Sequence, residues 1–302
     1  MWFWLSLATL LCWSGSDLFS KIGCRDAKDK NSHLKMVMAV GLVMGLHAAY
    51  EVFVGGTEIN LQIIWTYLPV SLLYIGSMVM GYVGLRYIEL SVSSPICNSS
   101  GALVAVMSFI MFGFADYSPL GIAAVLLVCI GAIGLGVVDS LEDSELRLER
   151  QKSSNYVYSK SFIALALPVA YCSLDAAGTF ADNRVLELLN EDSANVAYEL
   201  TFFAAGLLSF IYVALIKKDK LVPKMEAPKY VGAIFETAGQ FCYIYAIADT
   251  EHLAMSAPII SSYCAASVLW SRLFLKEKLS KKHYLMIVLI VIGIAIMGLL
   301  DL

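Results

Sequence analysis

Charge is scarce in this sequence. Asp, Glu, Lys and Arg make up 15% of its 302 residues, against roughly 25% in ordinary soluble domains. The seven cysteines include no CxxC pair, so no zinc or dithiol redox motif is written here. Walker A, HExxH and G-x-S-x-G sequences are missing, and the four histidines form no run. Direct ATP use, zinc hydrolysis and serine-nucleophile chemistry therefore have no support, no cofactor or metal is expected, and an enzyme reading has no positive evidence. The first apolar block opens at Trp2 without a basic leader or a small-residue cleavage site, and is read as a retained helix rather than a signal peptide.

What is present is apolar surface: 59% of residues are hydrophobic and the mean hydropathy is +0.73. It comes in blocks of about 20 residues, the length that crosses a bilayer core as helix. Expected spans are 2–20, 36–54, 63–85, 92–114, 119–138, 161–181, 195–216, 230–248, 253–274 and 284–300. None alternates with period two, so an all-α, polytopic membrane protein with ten transmembrane helices is expected. That excludes a cytosolic enzyme, a nucleic-acid-binding protein and a secreted disulfide scaffold. Pro69, Pro95, Pro168 and Pro258 fall inside spans and predict kinks.

The chain repeats itself. A shift of 163 superposes Gly76 on Gly239, Ser93 on Ser256, Pro95 on Pro258 and Ser99 on Ser262; a shift of 162 superposes Gly131 on Gly293; a shift of 158 superposes Asp17 on Asp175. Two five-helix copies are expected, 1–139 and 161–302, joined by a charged cytoplasmic linker, 140–160. Five is odd, so the second copy enters the membrane inverted, as in many secondary transporters. The basic residues agree. Of 21 Lys and Arg, all but Arg184 fall on odd-numbered connections. The positive-inside rule puts those connections in the cytoplasm and both termini outside, in a plasma (inner) membrane. Cys24, on the first connection, offers itself as a thiol reporter of sidedness.

The whole chain resembles the drug/metabolite transporter superfamily in its ten-helix EamA-like branch. The resemblance is carried by Trp13-Ser14-Gly15-Ser16, by Ser256-Ala257-Pro258-Ile259 with Ser262, by the Lys276-Glu277-Lys278-Leu279-Ser280 turn, and by the Gly-rich fifth and tenth helices. It departs at Gly113-Phe114-Ala115-Asp116, which lacks the family's Glu after Gly, at Lys276, where Gly is usual, and at Asp17, where relatives more often carry an amide or apolar residue. The resemblance implies a carrier of small organic solutes working by alternating access, with a lean toward efflux.

Ionisable side chains inside spans are costly and mark candidate sites. Asp17, Asp175, Glu236 and Gln240 are the expected substrate-binding core, with Asn98, Ser99, Ser261 and Ser262 after the two kinks and Tyr74 and Tyr243 as aromatic faces. Asp175, Glu236, Glu199, His47 and Glu51 are candidates for coupling, His47 and Glu51 being four apart on one helix face. Each also has a bland reading, as an interhelical hydrogen bond, an interface residue or a kink cap. The leading expectation is a secondary transporter of a small polar or amphipathic metabolite, cationic or zwitterionic, such as an amino acid or amine, with H+ or Na+ as coupling ion. A lipid-headgroup flippase and a non-transporting scaffold stay open as alternatives. The expected partners are the solute and the lipid bilayer, without nucleic acid; a monomer suffices to enclose a cavity, and a dimer is compatible.

Overall fold

The structure is a computed structural model, and it describes residues 1–24, 29–87, 96–113, 117–140, 162–276 and 278–300. The described residues are helical almost throughout: α1 (Trp2–Cys24), α2 (Ser32–Tyr50), α3 (Leu61–Tyr87), α4 (Ser100–Phe112), α5 (Pro119–Ser140), α6 (Phe162–Val185), α7 (Glu191–Phe210), α8 (Pro223–Ala248), α9 (Leu253–Ser261), α10 (Tyr263–Phe274) and α11 (Lys281–Leu300). Seven of these segments, among the described residues, are long and apolar enough to cross a membrane. Large apolar side chains point outward from many of them, among them Leu46, Ile110, Ile130, Leu208 and Val291, each more than half exposed. A surface of that kind is stable against lipid, not water. The chain is a polytopic helical membrane protein. Of the expected linker only Ser140, at the end of α5, lies among the described residues; Pro95 lies outside them too.

The strongest helix pairings recur when residues 1–140 are exchanged with residues 162–300. α1 packs on α8 and α3 on α6; α2 packs on α8 and α7 on α3; α2 pairs with α7, α4 with α9, and α5 with α11. α2 and α7 both end in a wide π turn, Glu51–Gly55 and Ile211–Ile216. They meet through glycine: a Cβ on Gly41 would come within 2.8 Å of the Gly206 Cα, so the Gly41-x-x-x-Gly45 spacing is a close-approach seam. Between α5 and α11 the contact is reciprocal. A Cβ on Gly131 would meet Ile290 at 2.5 Å and the Met286 carbonyl at 2.9 Å; one on Gly293 would meet Val128 at 2.6 Å and the Ala124 carbonyl at 2.8 Å.

The proline expected to kink the ninth span does so four residues later. α9 ends at Ser261 and α10 starts at Tyr263, with Ser262 between them at φ −71°, ψ 3°. The Ser262 hydroxyl donates to the Ile259 carbonyl at 2.5 Å, re-satisfying backbone that the break releases. The fourth span breaks at the aligned place: Asn98 and Ser99 form a turn before α4.

Some ends differ from expectation. α6 runs to Val185 rather than 181, and α8 begins at Pro223 rather than 230, with proline in the first turn where its missing N–H costs nothing. The two added turns of α8 carry Glu226 and Lys229 into a buried cluster. Lys229 Nζ lies 2.8 Å from Glu226 and 3.9 Å from Asp29, and Lys35 Nζ lies 3.1 Å from Asp29 and 3.6 Å from Glu226. Cys24 is only 1% exposed. It cannot report sidedness, because a reagent would miss it from either compartment.

Candidate functional site

The middle of α8 faces a chamber of about 60 Å³ bounded by α1, α3, α6, α7 and the breaks before α4 and α10. At 10–15 Å³ per water centre it has room for roughly four waters. Three acids line it: Asp17 from α1, Asp175 from α6 and Glu236 from α8. Each is held by a serine of another helix. Ser267 Oγ donates to Asp17 at 2.9 Å, Ser100 Oγ donates to Asp175 at 2.7 Å, and the Ser16 hydroxyl donates to Glu236. All three bonds run between residues 1–140 and residues 162–300.

Much of the remaining wall is aromatic. The Trp13 ring lies over Tyr243 with centroids 4.9 Å apart and meets Tyr263 edge-on at 5.9 Å. Tyr74, Tyr82, Tyr171 and Tyr198 add further rings, beside Met78, Cys97, Asn98 and Gln240. Gly239 admits the indole: a Cβ there would sit 2.4 Å from Trp13 Cδ1. Three polar atoms of the lining are buried without a hydrogen-bond partner, namely Trp13 Nε1, Tyr82 OH and Gln240 Nε2. Among the described residues, no Lys or Arg lines the chamber.

Beyond Tyr74 the chamber gives way to a buried network that the sequence reading missed. Asp182 accepts from Tyr67 OH at 2.8 Å and from Tyr74 OH at 3.3 Å. Tyr74 OH lies 2.5 Å from Tyr243 OH, which donates to Thr179 at 3.0 Å. Asp175, Thr179 and Asp182 recur at four and seven residues, one face of α6. The signal was available as that spacing; it was lost because the span was closed at 181. The Lys229 cluster stands seven residues before Glu236 on α8, so the chamber is flanked by a tyrosine–carboxylate network on one side and an ion cluster on the other.

The expected site residues divide into three groups. Asp17, Tyr74, Asn98, Asp175, Glu236 and Gln240 meet at the chamber, and Tyr243 stands directly behind it. Ser99 faces a separate outer groove, Ser261 lies beside Ser100 at 3.4 Å, and Ser262 is spent on the backbone. His47, Glu51 and Glu199 gather elsewhere, between α2 and α7. His47 Nδ1 lies 2.9 Å from both Glu199 oxygens, its Nε2 lies 3.7 Å from Glu51, and Asn195 donates to Glu199 at 3.1 Å. The nearer partner of His47 is thus Glu199 of another helix, not the Glu51 read as its neighbour.

Helical bundle and internal polar chamber together define a multi-pass membrane protein built around a buried site. Residues 188–299 match the EamA-like transporter family, which is consistent with the drug/metabolite transporter superfamily that the sequence motifs resemble. A solved structure called only "Crystal structure of protein" superposes with a TM-score of 0.61 at 15% identity, covering 98% of this chain and 96% of that one; at that identity it speaks for the fold alone. No curated protein matches.

Proposed function

We propose that this is a secondary transporter of the ten-helix EamA-like type, in which two inverted five-helix halves rock around the chamber and expose it to each compartment in turn. Support for two halves comes from the exchange-symmetric pairing of helices, the reciprocal glycine contacts of α5 and α11, and the aligned breaks at Ser99 and Ser262. The observation that carries the transport reading is the set of three acids from α1, α6 and α8 around one buried space. Intramembrane acids lining a cavity suit a solute or ion pathway. The solute class is a small polar or amphipathic molecule, cationic or zwitterionic, such as an amino acid or amine. Asp175 and Glu236 are the coupling groups for H+ or Na+, and efflux is the favoured direction. The odd connections face the cytoplasm of a plasma-membrane protein.

The chamber weighs against a scaffold, which needs no internal space. A headgroup flippase would need lipid to enter sideways between helices. The test is uptake into proteoliposomes under an imposed pH or Na+ gradient, using solutes that raise the melting temperature of the purified protein. Asp175→Asn should abolish gradient-driven uptake while leaving the unliganded melting temperature close to that of the parent. Unchanged uptake would remove Asp175 from the mechanism, and stimulation by lipid alone would favour the flippase.

A further inference from the structure

We propose that the chamber recognises an organic amine carrying a neutral hydrogen-bond acceptor next to its ammonium group, an amino alcohol or amino amide, and discriminates against the zwitterion of the same skeleton. This rests on the transporter reading and narrows its solute class.

The acids set the first requirement. Asp17, Asp175 and Glu236 stand on three walls of one space. An ionised carboxylate has about four acceptor sites, so the single serine bonds to Asp175 and Glu236 leave them able to take an ammonium. Tyr74, Tyr263 and Trp13 add ring faces, which attract the same charge.

The unpartnered atoms set the second. Gln240 is 3% exposed and Tyr82 6%, yet Gln240 Nε2 and Tyr82 OH have no partner. Trp13 Nε1 is likewise unpartnered, and an indole nitrogen can only donate. It lies against Gly239, the residue before Gln240 and three after Glu236. Buried donors left unmet are costly, so these call for an acceptor oxygen beside the ammonium. A hydroxyl or amide carbonyl supplies it.

The third requirement concerns the sign of that acceptor. Among the described residues no Lys or Arg lines the chamber. A ligand carboxylate would enter beside three acids with only neutral donors to hold it, which is electrostatic selection against the wrong charge. The volume of about 60 Å³ favours small members of the class.

Ethanolamine, glycine and ethylamine share one two-carbon skeleton, are of a size with the chamber and separate these requirements. Binding of each to the full-length protein in detergent is measured by calorimetry and by melting-temperature shift, for the parent and for Gln240→Leu. Ethanolamine should bind about tenfold tighter than ethylamine, the equivalent of one hydrogen bond, and at least about tenfold tighter than glycine. In Gln240→Leu the ratio of ethanolamine to ethylamine should fall to about two. Glycine binding as tightly as ethanolamine, ethanolamine binding no tighter than the oxygen-free amine, or no binding by any of the three overturns the assignment. If Gln240→Leu does not fold, the three ligands on the parent protein still decide. Gradient-driven uptake of some other solute would leave the transporter reading standing while this assignment falls.

Discussion

Lys229 offers the sharpest test of how the bundle is held together. It is 1% exposed and shares a cluster with Lys35, Asp29 and Glu226, whose side chains are 7, 7 and 9% exposed. Two cations and two anions make the cluster neutral. At an effective dielectric constant of about 20, separations of 2.8 and 3.6 Å give gross attractions of about 6 and 5 kcal/mol. Desolvation cancels most of that, so the measurable quantity is the cost of unbalancing the set. Lys229→Met keeps the stem, which packs on α1 so closely that a Cβ on Gly23 would come within 2.6 Å of it. It leaves two carboxylates to one lysine. Removing one member of a buried pair costs about 3–5 kcal/mol; Lys35, in reach of both acids, brings this to the lower end, about 3 kcal/mol. At about 2–4 °C per kcal/mol the melting temperature should fall by about 6–12 °C. Adding Glu226→Leu restores neutrality with Asp29 and Lys35 alone, and the double variant should return to within about 1 kcal/mol of the parent. Thermal unfolding in detergent, followed by tryptophan fluorescence, reads all four corners of the cycle. Burial also predicts that about 0.5 M NaCl leaves the differences unchanged. A double variant destabilised by the sum of the two singles would refute the reasoning, since charge balance would then not be what the cluster supplies.

Tyr243→Phe removes a hydroxyl shared with Tyr74 and Thr179, and should cost about 1–3 kcal/mol in the same unfolding assay; a neutral result would mean the network carries no strength. Gly131→Val and Gly293→Val meet matching walls at 2.5 and 2.6 Å, so their melting temperatures should fall together, and the double variant should fall by less than the sum because both strain one interface. Clearly unequal losses would argue against equivalent halves. With Cys24 buried, sidedness is read from exposed positions on opposite connections: an impermeant maleimide on intact cells should label Glu187→Cys and spare Lys218→Cys, and the reverse pattern would invert the orientation.

Apolar runs were legible because bilayer thickness imposes about 20 apolar residues on a span, and seven segments among the described residues are long and apolar enough to cross. Their ends were less so. A hydropathy reading stops where charge begins, yet charges that neutralise one another continue a helix. Glu226 and Lys229 did this at the start of α8, and Asp182, paired with two tyrosine hydroxyls, did it at the end of α6. Asp17, Asp175, Glu236 and Gln240 could be picked out because carboxylates and amides are conspicuous in apolar surroundings. The tyrosines could not, since a tyrosine at the membrane interface and one walling a polar chamber have the same local sequence; Tyr82, Tyr171 and Tyr198 were passed over for that reason. Serine was over-read in the other direction: Ser262 follows a proline and serves the backbone it frees. The pairing of His47 with Glu199 was out of reach, being fixed by the packing of α2 on α7 across 152 positions of sequence.

The three serine bonds give the chamber a property that neither half has alone. Asp17 is held by Ser267, Asp175 by Ser100 and Glu236 by Ser16, so every acid of the chamber takes a hydrogen bond from the other half of the chain. A carboxylate that loses a donor has an acceptor site free for a bound cation. A motion that kept each half rigid and shifted one against the other could not leave all three bonds unchanged. In the proposed rocking mechanism, the motion and the affinity of the acids for positive charge would be linked through the same atoms, and linkage works in both directions: a cation that favours one arrangement of the acids biases the halves toward it by its difference in affinity, and no further.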